Sequence, residues 1–248
     1  MMQRMFAVAV CLAVVAGCDR QPGKQPGPVA SPPVAKKYVE VPETPPTLES
    51  VAYRPEFLIG KKIASAGTGF VVRSKAGDNY LLTAAHLLDA TEWANVKRVV
   101  LRDFKGKEIG TSTDAPIYVG KGMDSARNET EFDLVIFKLA PGGKTVPLKL
   151  AAEYPNQNRL WVVGAEVTSR DGLQKTFELN PASMIPDKNT VLLNKTARFN
   201  LQAFSGGPIV DHEGKVVAAF LGGNDQSVIG SSVANLRRRL EEKGIQPE

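Results

Sequence analysis

The sequence predicts an all-β protein with two β lobes and a C-terminal helix. Short apolar segments recur between residues 69 and 221, and glycine, proline or other turn residues separate them. Many short strands at this spacing are typical of closed barrels, whereas alternating β/α units would need helical segments between the strands. The sequence Pro-Gly-Gly-Lys at 141–144 divides the strands into two sets, and apolar residues at helical spacing follow the second set.

The first set of strands predicts a barrel over about residues 60–140. Polar loops separate the first pair and the second pair of strands, so each pair is expected to form a β hairpin. Residues 86–95 predict a short helical turn, and 121–131 predict a loop. The predicted strands are 69–73, 80–83, 97–103, 108–113, 115–120 and 133–139.

The second set predicts another barrel over about residues 150–230, followed by a helix over 231–243. In that last stretch Val233, Leu236 and Leu240 share one face, serine stands at the start and Gly244 lies just beyond the end. This pattern indicates a capped amphipathic helix. The predicted strands of this set are 159–164, 174–179, 190–193, 207–210 and 215–221.

The N-terminus has the pattern of a bacterial lipoprotein signal over residues 1–17. Arg4 precedes an apolar run over 6–17, which is too short to serve as a lasting membrane anchor. Val15-Ala16-Gly17-Cys18 resembles a lipobox, in which the cysteine is lipidated and becomes the new N-terminus. An ordinary cleaved signal with an incidental cysteine is the alternative. We therefore expect an exported lipoprotein that is anchored to a membrane and faces the periplasm, and Asp19, which resembles an inner-membrane retention signal, favours the inner membrane.

Residues 18–50 predict a proline-rich, disordered tether between the lipid on Cys18 and a folded domain over 51–244. The chain has two cysteines, Cys11 and Cys18. After removal of the signal the domain therefore has no thiol for a disulfide, a nucleophile or a Cys/His metal cluster, and we expect no metal and no cofactor.

The formal net charge of +5 comes from interspersed charges of both signs. The one basic run, 237–239, is interpreted as a solvated helix face, with contact to anionic lipid as the lesser alternative. Export makes nucleic acid an unfavoured partner. The oligomeric state stays open.

Ser205 in the sequence Ser-Gly-Gly-Pro is a candidate nucleophile. A serine hydroxyl reacts only when a base takes its proton and a third group orients that base. Of the two histidines, His212 lies in a predicted hairpin turn, whereas His86 ends a predicted strand, and Asp133 begins an apolar strand. Each residue also has a structural alternative. His86 would be a buried histidine that hydrogen-bonds to the backbone, and Asp133 would be an acid that prevents pairing at a strand edge. Ser205 would be a turn residue with no catalytic role.

Three blocks together carry a family resemblance: Thr-Ala-Ala-His at 83–86, Asp-Leu-Val-Ile at 133–136 and Ser-Gly-Gly-Pro at 205–208. In this order they resemble the chymotrypsin-like serine proteases, and Gly-Thr-Gly-Phe-Val-Val at 67–72 is most similar to bacterial high-temperature-requirement proteases, here without a PDZ domain. The resemblance implies two six-stranded antiparallel Greek-key barrels. It also implies a serine endopeptidase that acts through an acyl-enzyme, with His86, Asp133 and Ser205 as the triad. The predicted export makes envelope proteins its expected substrates.

The resemblance assigns the oxyanion hole to the backbone amides of Ala203 and Ser205. The family usually has glycine in place of Ala203, and aspartate or asparagine in place of Phe204. If the site needs a positive φ, alanine costs about 1 kcal/mol there. The alternative function is therefore a catalytically weak or inactive protease fold that binds peptides or acts as a scaffold. An esterase is disfavoured because no Gly-x-Ser-x-Gly elbow is present.

The resemblance also places a specificity pocket in the second lobe. Phe199 would lie at its base, Ala219, Phe220 and Leu221 would form one wall, and 228–230 would form the other. No acid stands at the base, which disfavours cleavage after lysine or arginine and favours a small or medium apolar side chain. The same apolar residues could equally be barrel core.

Overall fold

The computed structural model describes residues 38–122, 130–165, 173–200 and 202–248. The predicted signal peptide and Cys18 lie outside this part of the chain. Within it, residues 38–248 form one compact unit.

The first lobe is a nine-stranded sheet with one short helix. A hydrogen-bonded path joins β6-β5-β1-β3-β4-β8-β7, while β2 pairs with β1, and β9 pairs in parallel with β3. The elements in chain order are β1 Ala52–Ile59, β2 Lys62–Ser65, β3 Gly69–Arg73, β4 Asn79–Thr83, a 3-10 turn Ala85–Leu87, α1 Ala90–Asn95, β5 Val96–Arg102, β6 Glu108–Thr111, β7 Tyr118–Val119, β8 Val135–Lys138 and β9 Pro147–Leu148.

The second lobe is a closed barrel of six antiparallel strands in the order β10-β11-β12-β15-β14-β13. Its elements in chain order are β10 Leu160–Gly164, β11 Lys175–Ile185, a 3-10 turn Pro186–Lys188, β12 Thr190–Lys195, β13 Pro208–Val210, β14 Val216–Gly223, β15 Ser227–Ser232 and α2 Val233–Glu241. The predicted all-β class with two β lobes and a terminal helix is confirmed.

Four strands lie where sequence inspection placed none, and β1 is the longest of them. Its eight residues include Pro55, which cannot donate to a β ladder and therefore weakens a strand pattern. β1 nevertheless pairs with β5 from Arg54 to Ile59, so the first lobe begins before the expected start near residue 60. The other three are β2, β9 and β15.

In the part of the chain that the structure describes, three apolar clusters form the core. Phe57, Trp93 and Phe137 pack ring against ring in the first lobe, and a phenylalanine cluster fills the second barrel. A third cluster lies between the lobes and contains residues of both, including Phe70 and Trp161. The two lobes are therefore joined by buried side chains, and the site described below lies where they meet.

The helix α2 packs on this interlobe cluster. Val233, Leu236 and Leu240 are fully buried, as predicted, and the Ser232 side chain accepts a hydrogen bond from the Asn235 amide. The helix starts later than residue 231 because Ser231 belongs to β15 and pairs with β12 and β14.

The basic run at 237–239 is a solvated face only at Arg238, which is exposed, and the interpretation is wrong for Arg237 and Arg239. The Arg237 guanidinium donates to the carbonyls of Leu150 and Ala151, at 2.9 and 3.0 Å. Arg239 is buried and forms an ion pair with Glu242. Guanidinium groups on the covered side of a helix can satisfy several carbonyl and carboxylate acceptors at once, which a charge pattern alone does not show.

The last part of the predicted tether, residues 38–50, lies against the second lobe. Val41 is buried, its amide donates to the Asn158 side chain, and Arg159 donates to its carbonyl. Leu48 packs on the interlobe cluster. These are among the few large apolar residues of the segment, and their burial accounts for its contact with the domain.

Candidate active site

His86 lies in the 3-10 turn that follows β4. Ala84 and Ala85 are buried beneath it, and the Trp93 indole donates to the Ala85 carbonyl at 2.6 Å. Small residues leave room for the sharp change of direction after the strand, and the indole holds the turn in place. The His86 side chain is 31% exposed, so its ring is open to a substrate on one side.

Asp133 contacts His86 from the segment that leads into β8. Its carboxylate is fully buried, with Oδ2 lying 2.6 Å from His86 Nδ1 and Oδ1 accepting from the His86 amide at 2.8 Å. Asp133 lies two residues before the first residue of β8, and its own amide donates to the Thr130 carbonyl. A carboxylate on Nδ1 leaves Nε2 as the ring nitrogen that can accept a proton.

The helix α2 holds the Asp133 segment from behind. The Asn235 side chain is buried and donates to the Glu131 carbonyl at 3.0 Å and to the Ser231 hydroxyl at 2.7 Å. The hydroxyls of Thr130 and Thr190 share a 2.9 Å hydrogen bond. Sequence inspection missed Asn235, although an amide among the apolar positions of an amphipathic helix is a signal for a buried polar contact.

Ser205 lies in a tight turn before β13, where the two lobes touch. The Thr68 amide donates to the Ser205 carbonyl at 2.8 Å. At Gly206, with φ +87°, an added Cβ would lie 2.3 Å from the Thr68 carbonyl oxygen and 2.7 Å from the Ala84 amide nitrogen. The turn is therefore pressed against the strand end that carries His86, and only glycine permits this approach.

The Ser205 hydroxyl donates to the Leu221 carbonyl at 3.3 Å. In the described part of the chain this carbonyl, and not the His86 ring, is the hydrogen-bond partner of the hydroxyl. The structure thus brings His86 and Asp133 into direct contact and places the Ser205 turn beside them.

Ala203 has a left-handed backbone conformation, with φ +70°. This is the positive φ at which alanine was expected to be strained. An L-residue in this region is strained by about 1–2 kcal/mol. The Thr68 hydroxyl donates to the Ala203 carbonyl. Thr68 therefore holds the loop twice, through this contact and through its amide on Ser205. The assignment of the Ala203 and Ser205 amides to an oxyanion hole stays a prediction.

Phe204 occupies the middle of the second barrel. Its ring is fully buried among Phe177, Phe199 and Phe220, with centroid distances of 5.7, 5.9 and 6.2 Å. An added Cβ at Gly164 would lie 2.7 Å from this ring. The substitution of an aromatic residue for the family's polar one thus anchors the serine loop in an apolar core.

Of the residues predicted to line a specificity pocket, Ile229 is partly exposed and the others are buried. Phe199 stacks on Phe177 at 4.3 Å, and Phe220 packs against Phe204 inside the barrel. Ala219 and Leu221 are each 1% exposed. The part of Leu221 that reaches Ser205 is its carbonyl. The pocket stays a prediction, and the side chains of Phe199 and Phe220 serve as barrel core.

Other candidate groups lie elsewhere. His212 is exposed in the β13–β14 turn and its Nδ1 lies 2.8 Å from the Gln157 amide nitrogen. Glu131, an acid close to Asp133 in the sequence, pairs with Arg238. Among the described residues no three His, Cys, Asp or Glu side chains gather as a metal site. No helix within those residues has the length and apolarity to cross a bilayer.

Solved structures of several proteases have a fold similar to that of this chain. The Rv3671c protease of M. tuberculosis in its inactive form is 17% identical with a TM-score of 0.54, over 82% of this chain and 100% of that one. Its active form is 18% identical with the same TM-score, over 89% and 94%. A serine endoprotease from Yersinia pestis is 16% identical with a TM-score of 0.52, over 78% and 62%. A search of the curated proteins found no match.

A family model described as a trypsin-like peptidase domain matches residues 67–218. This range is more than half of the 248 residues and includes His86, Asp133 and Ser205. The expected chymotrypsin-like fold is also the fold of the solved proteases above. The chain therefore belongs to the trypsin-like peptidase family.

Proposed function

We propose that this protein is a serine endopeptidase that hydrolyses peptide bonds through His86, Asp133 and Ser205. The observation that carries the proposal is the buried Asp133 carboxylate, which contacts both Nδ1 and the amide of His86 beside the Ser205 turn. A buried acid on Nδ1 selects one ring tautomer and stabilises the imidazolium that forms during catalysis.

In the proposed reaction Ser205 rotates from the Leu221 carbonyl toward His86. His86 Nε2 takes the hydroxyl proton as Ser205 Oγ bonds to the scissile carbonyl carbon. The imidazolium then gives this proton to the departing amine, and an acyl-enzyme remains. Water, deprotonated by His86, then attacks the ester carbon, the bond from this carbon to Ser205 Oγ breaks, and His86 returns the proton to Oγ as the acid product leaves. The amides of Ala203 and Ser205 would stabilise the oxyanion of each tetrahedral intermediate.

The test uses the full chain in detergent and a fluorophosphonate probe that reacts with activated serines. We expect labelling at Ser205 that is lost in Ser205→Ala and in His86→Ala. His212→Ala is the matched control, since this exposed histidine lies in another turn, and it should keep wild-type labelling. Cleavage of a peptide library should follow the same pattern. Cleavage that survives in Ser205→Ala would contradict the proposal.

Two observations favour a second candidate function, a weak or inactive protease fold that binds peptides. The Ser205 hydroxyl donates a hydrogen bond to the Leu221 carbonyl, and Ala203 has a strained backbone. This alternative predicts that peptides bind to the wild type and to Ser205→Ala with equal affinity, while neither protein is labelled or cleaves them.

We also propose that a lipid on Cys18 anchors the protein on the periplasmic side of the inner membrane, where its substrates would be envelope proteins. Support comes from the lipobox-like 15–18 sequence and from Asp19. Metabolic labelling with an alkyne fatty acid should mark the wild type and a Cys11→Ala variant but not Cys18→Ala. Asp19→Ser should move the protein to the outer-membrane fraction. Equal labelling of all three proteins would contradict the anchor.

A further inference from the structure

A cavity of about 220 Å³ opens beside the serine loop on the side of the first lobe. It is lined by Arg54 on β1, Ser65 at the end of β2, Ala66, Gly67 and Ala203. Ala203 belongs to the loop that carries the nucleophile, so a substrate bound at Ser205 passes this cavity. The site lies apart from the predicted specificity pocket, which the second barrel would form.

Arg54 is a cation without an anionic partner in the described part of the chain. Its guanidinium lies 5.7 Å from the centre of the Phe104 ring, a cation–π contact that orients it without neutralising its charge. Its cross-strand neighbour Arg102 differs, since Arg102 forms a 2.6 Å ion pair with Glu56. A partly buried guanidinium is stabilised by a carboxylate, because the planar group offers paired donors to two oxygens.

The position of Gly67 shows which half of a substrate meets this cavity. An added Cβ at Gly67 would lie 2.6 Å from the Leu87 side chain and 2.6 Å from the Ser205 carbonyl oxygen. The cavity is therefore next to the turn that carries His86, the group that would protonate the departing amine. The Leu221 carbonyl approaches the Ser205 hydroxyl from β14, in the other lobe. The residues after the scissile bond would thus lie toward Arg54.

We propose that Arg54 is a specificity-determining residue that binds a substrate carboxylate on the leaving-group side of Ser205. The carboxylate would come from an acidic side chain shortly after the scissile bond or from the end of the substrate chain. Its oxygens would accept hydrogen bonds from the guanidinium, and the Ser65 hydroxyl offers a further donor. This proposal rests on the proposed peptidase function and adds to it the chemical class of the preferred substrate.

The experiment identifies cleavage sites in a peptide library by mass spectrometry and then measures kcat/KM on matched peptides. The full-length wild type is compared with Arg54→Gln and with Arg54→Lys, which keeps the charge. Arg98→Gln is the control, because Arg98 is exposed on β5 of the same sheet and its substitution removes the same charge. One peptide pair differs by Glu against Gln after the scissile bond, and another by a free against an amidated C-terminus.

We expect the wild type to prefer the acidic member of at least one pair by about tenfold, as a charge-assisted hydrogen bond would give. Arg54→Gln should bring this ratio close to one, Arg54→Lys should keep part of it, and Arg98→Gln should leave it unchanged. High salt should lower the wild-type ratio. The pair that shows the preference identifies the source of the carboxylate.

Labelling of Ser205 by the small fluorophosphonate probe separates the possible failures. Arg54→Gln should be labelled at the wild-type rate, because the probe does not extend into the cavity. A wild type that is labelled and cleaves peptides with no preference in either pair would overturn the role of Arg54 alone. A wild type that neither reacts with the probe nor cleaves any peptide would overturn the peptidase function, and this inference with it.

Discussion

The Asp133 carboxylate holds His86 at two points, with one oxygen 2.6 Å from Nδ1 and the other 2.8 Å from the backbone nitrogen. The contact to the backbone fixes the position of the residue, and the contact to the ring fixes the tautomer. Because the carboxylate is fully buried, solvent does not compete for either contact. One acid thus positions the proposed base and sets which nitrogen carries its proton.

Asp133→Asn should separate these two roles. An asparagine oxygen can still accept from the His86 amide, so the fold and the free energy of unfolding should change little. The neutral amide no longer stabilises the imidazolium or selects the productive tautomer, and kcat should fall by about ten-thousandfold with little change in KM. Steady-state kinetics and urea unfolding measure the two effects. A kcat within tenfold of the wild type would mean that Asp133 only supports the turn.

Gly206→Ala should destabilise the protein and abolish labelling of Ser205. The new Cβ would lie 2.3 Å from the Thr68 carbonyl oxygen in a backbone with φ +87°. Strain and overpacking together should cost about 3 kcal/mol or more. Urea unfolding and probe labelling measure the outcome.

Gly142→Ala is the control for Gly206→Ala. Gly142 also has φ +87°, but an added Cβ there meets no atom within 4 Å. This variant should lose about 1–2 kcal/mol from backbone strain alone and keep wild-type labelling. Equal losses of stability in the two variants would show that the contact between the serine turn and Thr68 has no energetic weight.

Ala203→Gly should be tolerated, although glycine usually destabilises. Relief of strain at φ +70° contributes about 1–2 kcal/mol, which offsets the roughly 0.5–1 kcal/mol that the extra freedom of glycine costs. The exposed helical Ala94 provides the contrast, since Ala94→Gly should lose about 1 kcal/mol. We also expect Ala203→Gly to match or exceed the wild-type kcat. A loss of stability as large as that of the Ala94 variant would contradict the strain.

The strands and the three motif blocks could be predicted because they depend on residues that are close together in the sequence. Alternating apolar residues and turn signals locate strands, and the positions of His86 and Ser205 in their turns follow from small or glycine residues beside them. These features lie within a few residues of one another in the chain. The strand β1 was missed because Pro55 weakens its local pattern, whereas its pairing with β5 stabilises it.

The remaining features depend on contacts between distant segments. Asn235 fixes the Asp133 segment across 104 residues of sequence through the Glu131 carbonyl. Arg54 is notable because it forms no ion pair with the described residues, and the periodicity of the sequence does not show this. The Ser205 hydroxyl donates to the Leu221 carbonyl, which belongs to a strand 16 residues further along the chain, and no local pattern reports this contact.

Asp211→Asn should stabilise the protein more at neutral than at acidic pH. Burial of Asp211 in the β13–β14 turn raises the pKa of its carboxyl, against the lowering effect of hydrogen bonds from the Lys215 and Glu213 amides. In the unfolded chain this carboxyl ionises near pH 3.9, which is a lower pH than in the folded protein. The folded wild type therefore loses stability as the pH rises from that value through the raised pKa. Asparagine keeps an acceptor for both amides and carries no charge to bury. Urea unfolding of both proteins at several pH values should show the advantage of the variant growing with pH, and an advantage that shrinks as the pH rises would mean that the two amide contacts outweigh burial.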